Sequence, residues 1–196
     1  NLSDTDLTVG DLMIGRYKLP EDRTFEELCS YAFYPTNTPN LRILCSRVDD
    51  REYDYYAKEK EQQASQPGGE KFNGYEPLKK IIEAVRDEFD IILIDTAPQF
   101  SAMTLAGHYV SNSLLIPIRP SENDRDSSGK YMHFLSKMYR LLTGLGHPGF
   151  EWIKVLISAG RRSSPAQMRI ANKIRGACLD DAFIADFIES DAVTNC

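Results

Sequence analysis

Three features are scarce in this 196-residue sequence: long apolar runs, net positive charge and closely spaced cysteines. No apolar run approaches the roughly 20 residues that a membrane-spanning helix needs, so we expect a cytoplasmic protein. The formal net charge is −6, and nucleic-acid binding would therefore depend on a local basic patch. The cysteines are scattered without a CxxC pair, which favours reduced thiols over a disulfide or zinc framework; they are Cys29, Cys45, Cys178 and Cys196.

The histidines are equally isolated. His108, His133 and His147 have no spacing that suits a metal site or a Ser/His/Asp arrangement, so structural roles are predicted for them. No nucleophilic enzyme class is supported by these residues.

The apolar content of 42% is sufficient for one sizeable core. Short apolar runs alternate with segments of helical periodicity, which predicts an α/β fold with a doubly wound, mainly parallel sheet and helices on both faces. The predicted strands are Leu41–Ser46, Ile91–Ile94, Ser113–Ile118, Trp152–Ser158 and Phe183–Ile188. We expect a single domain over 1–196, interrupted by a polar, solvated insert at about 49–73. A partner-binding arm that uses Tyr53, Tyr55 and Tyr56 is the alternative for this insert.

Capping signals and apolar spacing predict where the helices begin. Asp4 or Thr5 would cap a first short helix, and Thr24 with Glu27 forms a capping-box pattern. Ser101 is placed to cap the helix that follows the central strand. Further helices are predicted at about 75–89, 127–142 and 165–178 from their apolar periodicity.

The central feature is the stretch Phe89–Pro98, which joins the apolar run Ile91–Ile94 to Asp95. Four branched aliphatic residues in succession are typical of a parallel strand buried on both faces. Asp95 then lies at the carboxyl end of the strand, where ligands bind in open α/β sheets. The alternative is that Asp95 only caps the next helix through backbone amides.

The segment from Phe89 to Pro120, FDIILIDTAPQFSAMTLAGHYVSNSLLIPIRP, resembles the Walker B region of ParA-type plasmid and chromosome partition ATPases, a group of the MinD/ParA class of P-loop NTPases. That pattern comprises an apolar strand, Asp-Thr-x-Pro, a Thr/Leu-containing helix and a second Leu-Ile-Pro strand. A thinner resemblance covers most of the chain. Near the end, Glu189-Ser190 replaces a Pro-Arg pair that is frequent in the family.

The resemblance implies roles for individual residues. Asp95 would be the Walker B carboxylate, which holds a water on Mg²⁺, and Thr96, Pro98 and Gln99 would form a switch-like turn near the γ-phosphate of ATP. Residues flanking the base or ribose would be Arg119, Pro120, Ser158 and Arg162.

The phosphate loop of this family, Lys-Gly-Gly-x-Gly-Lys-Thr, is missing from the 196 residues. Gly68-Gly69 is the nearest match, and it is rejected because it lies in a polar stretch with no preceding strand. Without the strand that leads to the phosphate loop, Ile91–Ile94 would lack a pairing partner. We therefore expect the 196 residues to be part of a longer protein, which would hydrolyse ATP, whereas this chain alone would be inactive.

A local basic stretch runs from Gly160 to Leu179 without any acidic residue. ParA-type ATPases bind non-specific DNA as ATP-bound dimers, so the resemblance implies DNA contact through Arg161, Arg169, Lys173 and Arg175. The alternative is an ordinary solvated helix face.

Three classes of function remain open. The first is a nucleoid-associated partition ATPase, which forms a nucleotide-dependent homodimer and acts with a ParB-like centromere-binding protein. The second is a non-catalytic scaffold or regulator that has lost its phosphate loop. The third is another P-loop protein, such as a MinD-like membrane ATPase or a relative of the nitrogenase iron protein.

Overall fold

The computed structural model describes residues 7–47, 52–97, 100–120, 122–160, 164–177 and 183–188. The chain divides into two compact units, Asn1–Val110 and Ser111–Cys196. No helix within these described ranges is long and apolar enough to cross a membrane. The expectation of a single domain over 1–196 stays a prediction.

The described part of the first unit is mainly helical. Its helices are α1 (Val9–Ile14), α2 (Phe25–Ala32), α3 (Glu52–Ala64), α4 (Glu76–Val85, continued by a 3-10 turn at Arg86–Glu88) and α5 (Ala102–Val110). Two short antiparallel strands, β1 (Tyr34–Pro35) and β2 (Arg42–Ile43), lie between α2 and α3.

Side-chain caps determine where three of these helices begin. Thr24 and Glu27 form the predicted reciprocal capping box at the start of α2. Ser101 Oγ accepts from the Thr104 amide at 3.1 Å, which confirms the predicted cap of α5. The cap of α1 is Thr8, in a second capping box with Asp11, so the prediction of Asp4 or Thr5 was wrong.

Helix α4 lies at the centre of the first unit, in contact with α1, α2 and α5. Its apolar face has the spacing expected of an amphipathic helix, with Leu78, Ile81 and Val85 all buried. The predicted helix at 75–89 is therefore confirmed. Burial of this apolar face against three neighbouring helices contributes to the hydrophobic stabilisation of the unit.

The polar stretch predicted as a solvated insert contains α3, and one side of that helix is part of the core. Tyr53 and Ala57 are fully buried, and the Tyr53 hydroxyl donates to the Gly74 carbonyl. Tyr55 is 77% exposed. Two buried residues in an otherwise polar helix do not produce a strong apolar periodicity, which is why the sequence pattern missed the packing.

The second unit contains a three-stranded parallel sheet in the order β3 (Ser113–Ile118), β4 (Trp152–Gly160) and β5 (Phe183–Ile188). Helix α6 (Glu122–Gly144) connects β3 to β4, and α7 (Pro165–Ala177) connects β4 to β5. These elements confirm the predicted alternation of parallel strands and helices. On α6, the buried residues Leu135, Met138 and Leu142 follow the predicted helical spacing.

Two strand predictions were wrong. Of Leu41–Ser46, only Arg42 and Ile43 form a strand, and they pair antiparallel with β1 rather than parallel. The segment Ile91–Ile94 is in neither sheet of the described chain. Its side chains alternate in exposure instead of being buried on both faces, with Ile91 76% and Leu93 88% exposed. A strand requires a hydrogen-bonding neighbour, and none of the described residues provides one here.

Candidate functional site

Asp95 lies at the end of an extended segment that is attached to the first unit by one face. Phe89 and Ile92 pack against the helical core, and the Phe89 ring lies 5.2 Å from that of Phe33. Asp95 itself is exposed, while Thr96 is half-buried. The attached face thus holds the backbone in place and leaves the carboxylate accessible from solution.

The structure excludes the alternative in which Asp95 caps the next helix. Helix α5 begins at Ala102, and its cap is Ser101. Asp54 of α3 also accepts a hydrogen bond there, from the Met103 amide to Oδ1 at 3.3 Å. Asp95 therefore does not cap the backbone amides at the start of α5.

Thr96 packs closely against the middle of α5. A Cβ atom built on Gly107 would lie 3.1 Å from Thr96 Cγ2 and 3.4 Å from Ile94 Cγ2. The absence of a side chain at Gly107 lets the helix approach the residues on both sides of Asp95. Neither Gly107 nor Asp54 was predicted as part of the site. A glycine inside a helix was the one available sign, because such a residue often has a packing reason.

In the second unit, the register of β3 and β4 brings three predicted residues to one sheet edge. Ile118 is paired with Ile157, so Arg119 and Pro120 follow β3 at the level where Ser158 occupies β4. Arg119 is exposed, Pro120 is buried and Ser158 is half-buried. Carboxyl ends of parallel strands are where ligands bind in open α/β sheets.

The predicted residues Pro98, Gln99 and Arg162 lie outside the described residues. The same holds for Arg161 of the basic stretch and for Glu189-Ser190.

Helix α7 carries the described part of the basic stretch. Arg169 and Lys173 are exposed and one turn apart, whereas Ile170 and Ala171 are buried. Arg175 Nη1 donates to Asn172 Oδ1 at 2.6 Å. The helix thus packs on β4 by an apolar side and presents two cationic side chains to solvent.

Two histidines have structural positions. His108 is buried in α5, where Nδ1 donates to the Thr104 carbonyl at 2.7 Å. Burial lowers the pKa of His108, and the hydrogen bond to Thr104 opposes this effect. His147 is buried in the second unit; its Nε2 donates to the Ser111 carbonyl and its Nδ1 accepts from the Gly149 amide, both at 3.0 Å. His133 is exposed.

No group of three or more His, Cys, Asp or Glu residues within the described ranges is arranged to hold a metal ion. Gly68-Gly69, rejected above as a phosphate loop, forms the turn after α3. Gly68 has φ +82°, and a Cβ on Gly69 would clash with the Gln63 carbonyl oxygen. These glycines are required by the close turn at the end of α3.

A family profile described as AAA domain matches residues 17–142. Two curated relatives share the name "Putative replication protein A". The Sinorhizobium fredii (strain NBRC 101917 / NGR234) protein is 27% identical over 125 residues, which are 63% of this chain and 30% of that protein. The Rhizobium rhizogenes protein is 23% identical over 122 residues, which are 62% of this chain and 30% of that protein. The match thus spans less than a third of each of these relatives.

Solved structures give the same fold. One described as a partition protein matches all of this chain and 53% of its own, with a TM-score of 0.73 and 22% identity. Two structures of McdA from Cyanothece each match with a TM-score of 0.64 and 17% identity. The match to the apo form covers 96% of this chain and 73% of the McdA chain. The match to the ATP complex of an aspartate-to-alanine variant covers 94% of this chain and 69% of the McdA chain. The fold is that of an incomplete P-loop NTPase-like α/β protein, and the chain belongs to the family described as AAA domain.

Proposed function

We infer that the complete protein is a DNA partition ATPase, which binds ATP with Mg²⁺ and non-specific DNA as a homodimer and acts with a ParB-like centromere-binding protein. The observation that carries this proposal is the exposed Asp95 at the end of an apolar segment, beside Thr96 and outside the cap of α5. The ATP-bound McdA structure supports nucleotide as the ligand of this fold.

The residues at this position fit a hydrated Mg²⁺ ion. Magnesium prefers oxygen ligands and retains several waters, which an accessible carboxylate can hold by hydrogen bonds. Asp95 supplies such a carboxylate, and Thr96 supplies a hydroxyl next to it in sequence. When bound, Mg²⁺ would neutralise phosphate charge. Asp95 would orient its waters, and the turn containing Thr96, Pro98 and Gln99 would respond to the γ-phosphate.

The main phosphate cradle would come from residues outside this chain. Ile91 and Leu93 are among the most exposed aliphatic side chains of the described residues. Leaving these apolar side chains in water is unfavourable, and unpaired backbone groups beside them are open to pairing with another strand. We therefore propose that a strand of the complete protein pairs along Ile91–Ile94 and leads into the phosphate loop.

Arg119, Pro120 and Ser158 would lie beside the base or ribose, together with Arg162. The shared sheet edge of the first three supports this assignment. The exposed pair Arg169 and Lys173 would contact DNA phosphates, with Arg161 and Arg175 extending the surface. Such contacts are independent of DNA sequence and weaken with salt.

Asp95→Asn in the complete protein tests the nucleotide site. Loss of the charge should raise the Mg²⁺ concentration for half-maximal ATP binding by about tenfold or more, because hydrogen bonds to charged groups contribute roughly 1.5–3 kcal/mol. Asp90→Asn, an exposed carboxylate at the other end of the same segment, is the matched control and should have no effect. Equal Mg²⁺ dependence in the wild type and the Asp95 variant would remove Asp95 from the site.

Nucleotide binding also separates the partition ATPase from the alternative of a non-catalytic scaffold. A complete protein that binds no ATP would support the scaffold. A complete protein that hydrolyses ATP, at a rate that DNA and the centromere-binding protein increase, would support the partition ATPase.

The DNA surface is tested by replacing Arg169 and Lys173 together by Glu. The slope of log affinity against log salt should become shallower by about two, one unit for each lost phosphate contact. Replacing Lys58 and Lys80 of the first unit by Glu makes the same change in net charge and serves as control. Equal loss of DNA binding in both double variants would indicate a general charge effect instead of a surface on α7.

A further inference from the structure

Two contacts hold helix α5, the next helix in the chain after Asp95. One is made by Gly107 in the middle of the helix, and the other by Asp54 at its first turn. Gly107 approaches Thr96, the neighbour of Asp95 in sequence, and Asp54 accepts from the Met103 amide; no role for either was expected from the sequence.

The Gly107 contact is closest at the Thr96 methyl group. The 3.1 Å separation between a built Cβ and Thr96 Cγ2 is shorter than the roughly 3.5–4.0 Å optimum for two carbon atoms. The corresponding 3.4 Å separation from Ile94 Cγ2 is close to an ordinary contact. An alanine at this position would therefore displace Thr96 more than Ile94. Glycine within a helix costs about 1 kcal/mol relative to alanine, and the close packing here offsets that cost.

The Asp54 contact fixes the first turn of the same helix. Its carboxylate accepts the Met103 amide hydrogen, one of the amides that have no partner inside the helix. Negative charge is also favourable at a helix N-terminus. Because Asp54 belongs to α3, the position of α5 depends on a segment 49 residues earlier in the chain.

We propose that Gly107 is a positioning residue for Thr96 at the nucleotide-associated Mg²⁺ site, and that Asp54 fixes the start of α5 for the same purpose. This rests on the proposed function, since it takes Asp95 and Thr96 as the residues that hold hydrated Mg²⁺. A Mg²⁺ ion held through its waters would tolerate little displacement of the oxygen groups beside it, so a shift of Thr96 should lower its affinity. Helix α5 holds Thr96 in place through the contact of Gly107 with the Thr96 methyl group.

A double-mutant cycle in the complete protein tests the Gly107 assignment. Gly107→Ala should raise the Mg²⁺ concentration for half-maximal ATP binding by about fivefold or more, while Mg²⁺-free nucleotide affinity changes little. Thr96→Ser removes Cγ2 and retains the hydroxyl. In that background, Gly107→Ala should change the Mg²⁺ dependence by less than about twofold, because the displaced methyl group is gone.

Gly144→Ala is the matched control. Gly144 is also a helical glycine, at the end of α6, and a Cβ there would meet no atom within 4 Å. It should leave Mg²⁺ dependence unchanged. An equal effect of Gly107→Ala in the wild-type and Thr96→Ser backgrounds would overturn the proposal while leaving the proposed function intact.

A second readout does not need nucleotide. The Thr96 methyl resonance in a methyl-labelled sample should shift with Gly107→Ala and not with Gly144→Ala. An unchanged Thr96 resonance would overturn the positioning role. If the wild-type protein binds no Mg²⁺ and ATP, the proposed function fails, and this resonance still decides whether Gly107 positions Thr96.

Asp54→Ala should accelerate amide hydrogen exchange in the first turn of α5, at Met103 above all. Glu61→Ala, an exposed acidic residue of the same helix α3, should not. Identical exchange at Met103 in the two variants would remove Asp54 from the proposal.

Discussion

Replacing Tyr53 by Ala should unfold the first unit far more readily than the same change at Tyr55, two residues away in α3. Tyr53 is fully buried, and its hydroxyl donates to the Gly74 carbonyl. Truncation of a buried aromatic residue to Ala costs about 3–5 kcal/mol of unfolding free energy. Tyr55 is 77% exposed, and its replacement should stay within about 0.5 kcal/mol of the wild type.

Amide hydrogen exchange measured by mass spectrometry on peptides from α4 localises the effect to the first unit. In Tyr53→Ala, protection should fall by about two to three orders of magnitude, since each 1.4 kcal/mol is a factor of ten. Tyr53→Phe isolates the hydroxyl and should cost about 1 kcal/mol. Equal protection in Tyr53→Ala and Tyr55→Ala would refute the packing of α3 into the core and restore the view of 49–73 as a solvated insert.

Three further predictions concern the first unit. Burial lowers the pKa of His108 from its ordinary 6.5, so the unfolded chain takes up a proton at a higher pH than the native protein does. The stability that the neutral, buried imidazole contributes is therefore present above pH 6.5 and is lost as the pH falls below it. His108→Gln should therefore reduce the loss of unfolding free energy between about pH 7.5 and 5.5, and an unaltered pH dependence would contradict the assignment. Burial, with a smaller contribution from Glu26, raises the pKa of the Cys29 thiol to about 12. In the native protein Cys29 should therefore resist a thiol reagent that labels the half-buried Cys45. Equal labelling rates of the two cysteines in a mass-spectrometric time course would argue against this. Thr24→Ala removes the capping box of α2 and should cost about 1 kcal/mol in urea unfolding, whereas Thr38→Ala, in an exposed turn, should cost less.

Local patterns predicted much of the fold correctly. The capping box at Thr24, the cap at Ser101 and the apolar face of α4 are each encoded within a few turns of chain, so adjacent sequence is sufficient to identify them. The parallel strands β3, β4 and β5 were likewise predicted from short apolar runs separated by helices.

Local patterns failed where the structure depends on a partner far along the chain, or on one that none of the described residues provides. Ile91–Ile94 has the composition of a buried strand, yet pairing requires a neighbouring strand, and none of the described residues provides it. Helix α3 is polar in composition, and its attachment through Tyr53 depends on Gly74, 21 residues later.

The sequence by itself determined the family resemblance, the candidate carboxylate Asp95 with Thr96, and the residues that strand register brings to one sheet edge, because each is carried by a short motif or a repeated apolar pattern. Only the tertiary structure decided that Asp95 does not cap α5, that Gly107 admits the Thr96 methyl group and that Asp54 of α3 fixes the start of the same helix. These contacts join segments well separated along the chain, and the distance between such segments is set by the packing of helices rather than by any local preference of the chain.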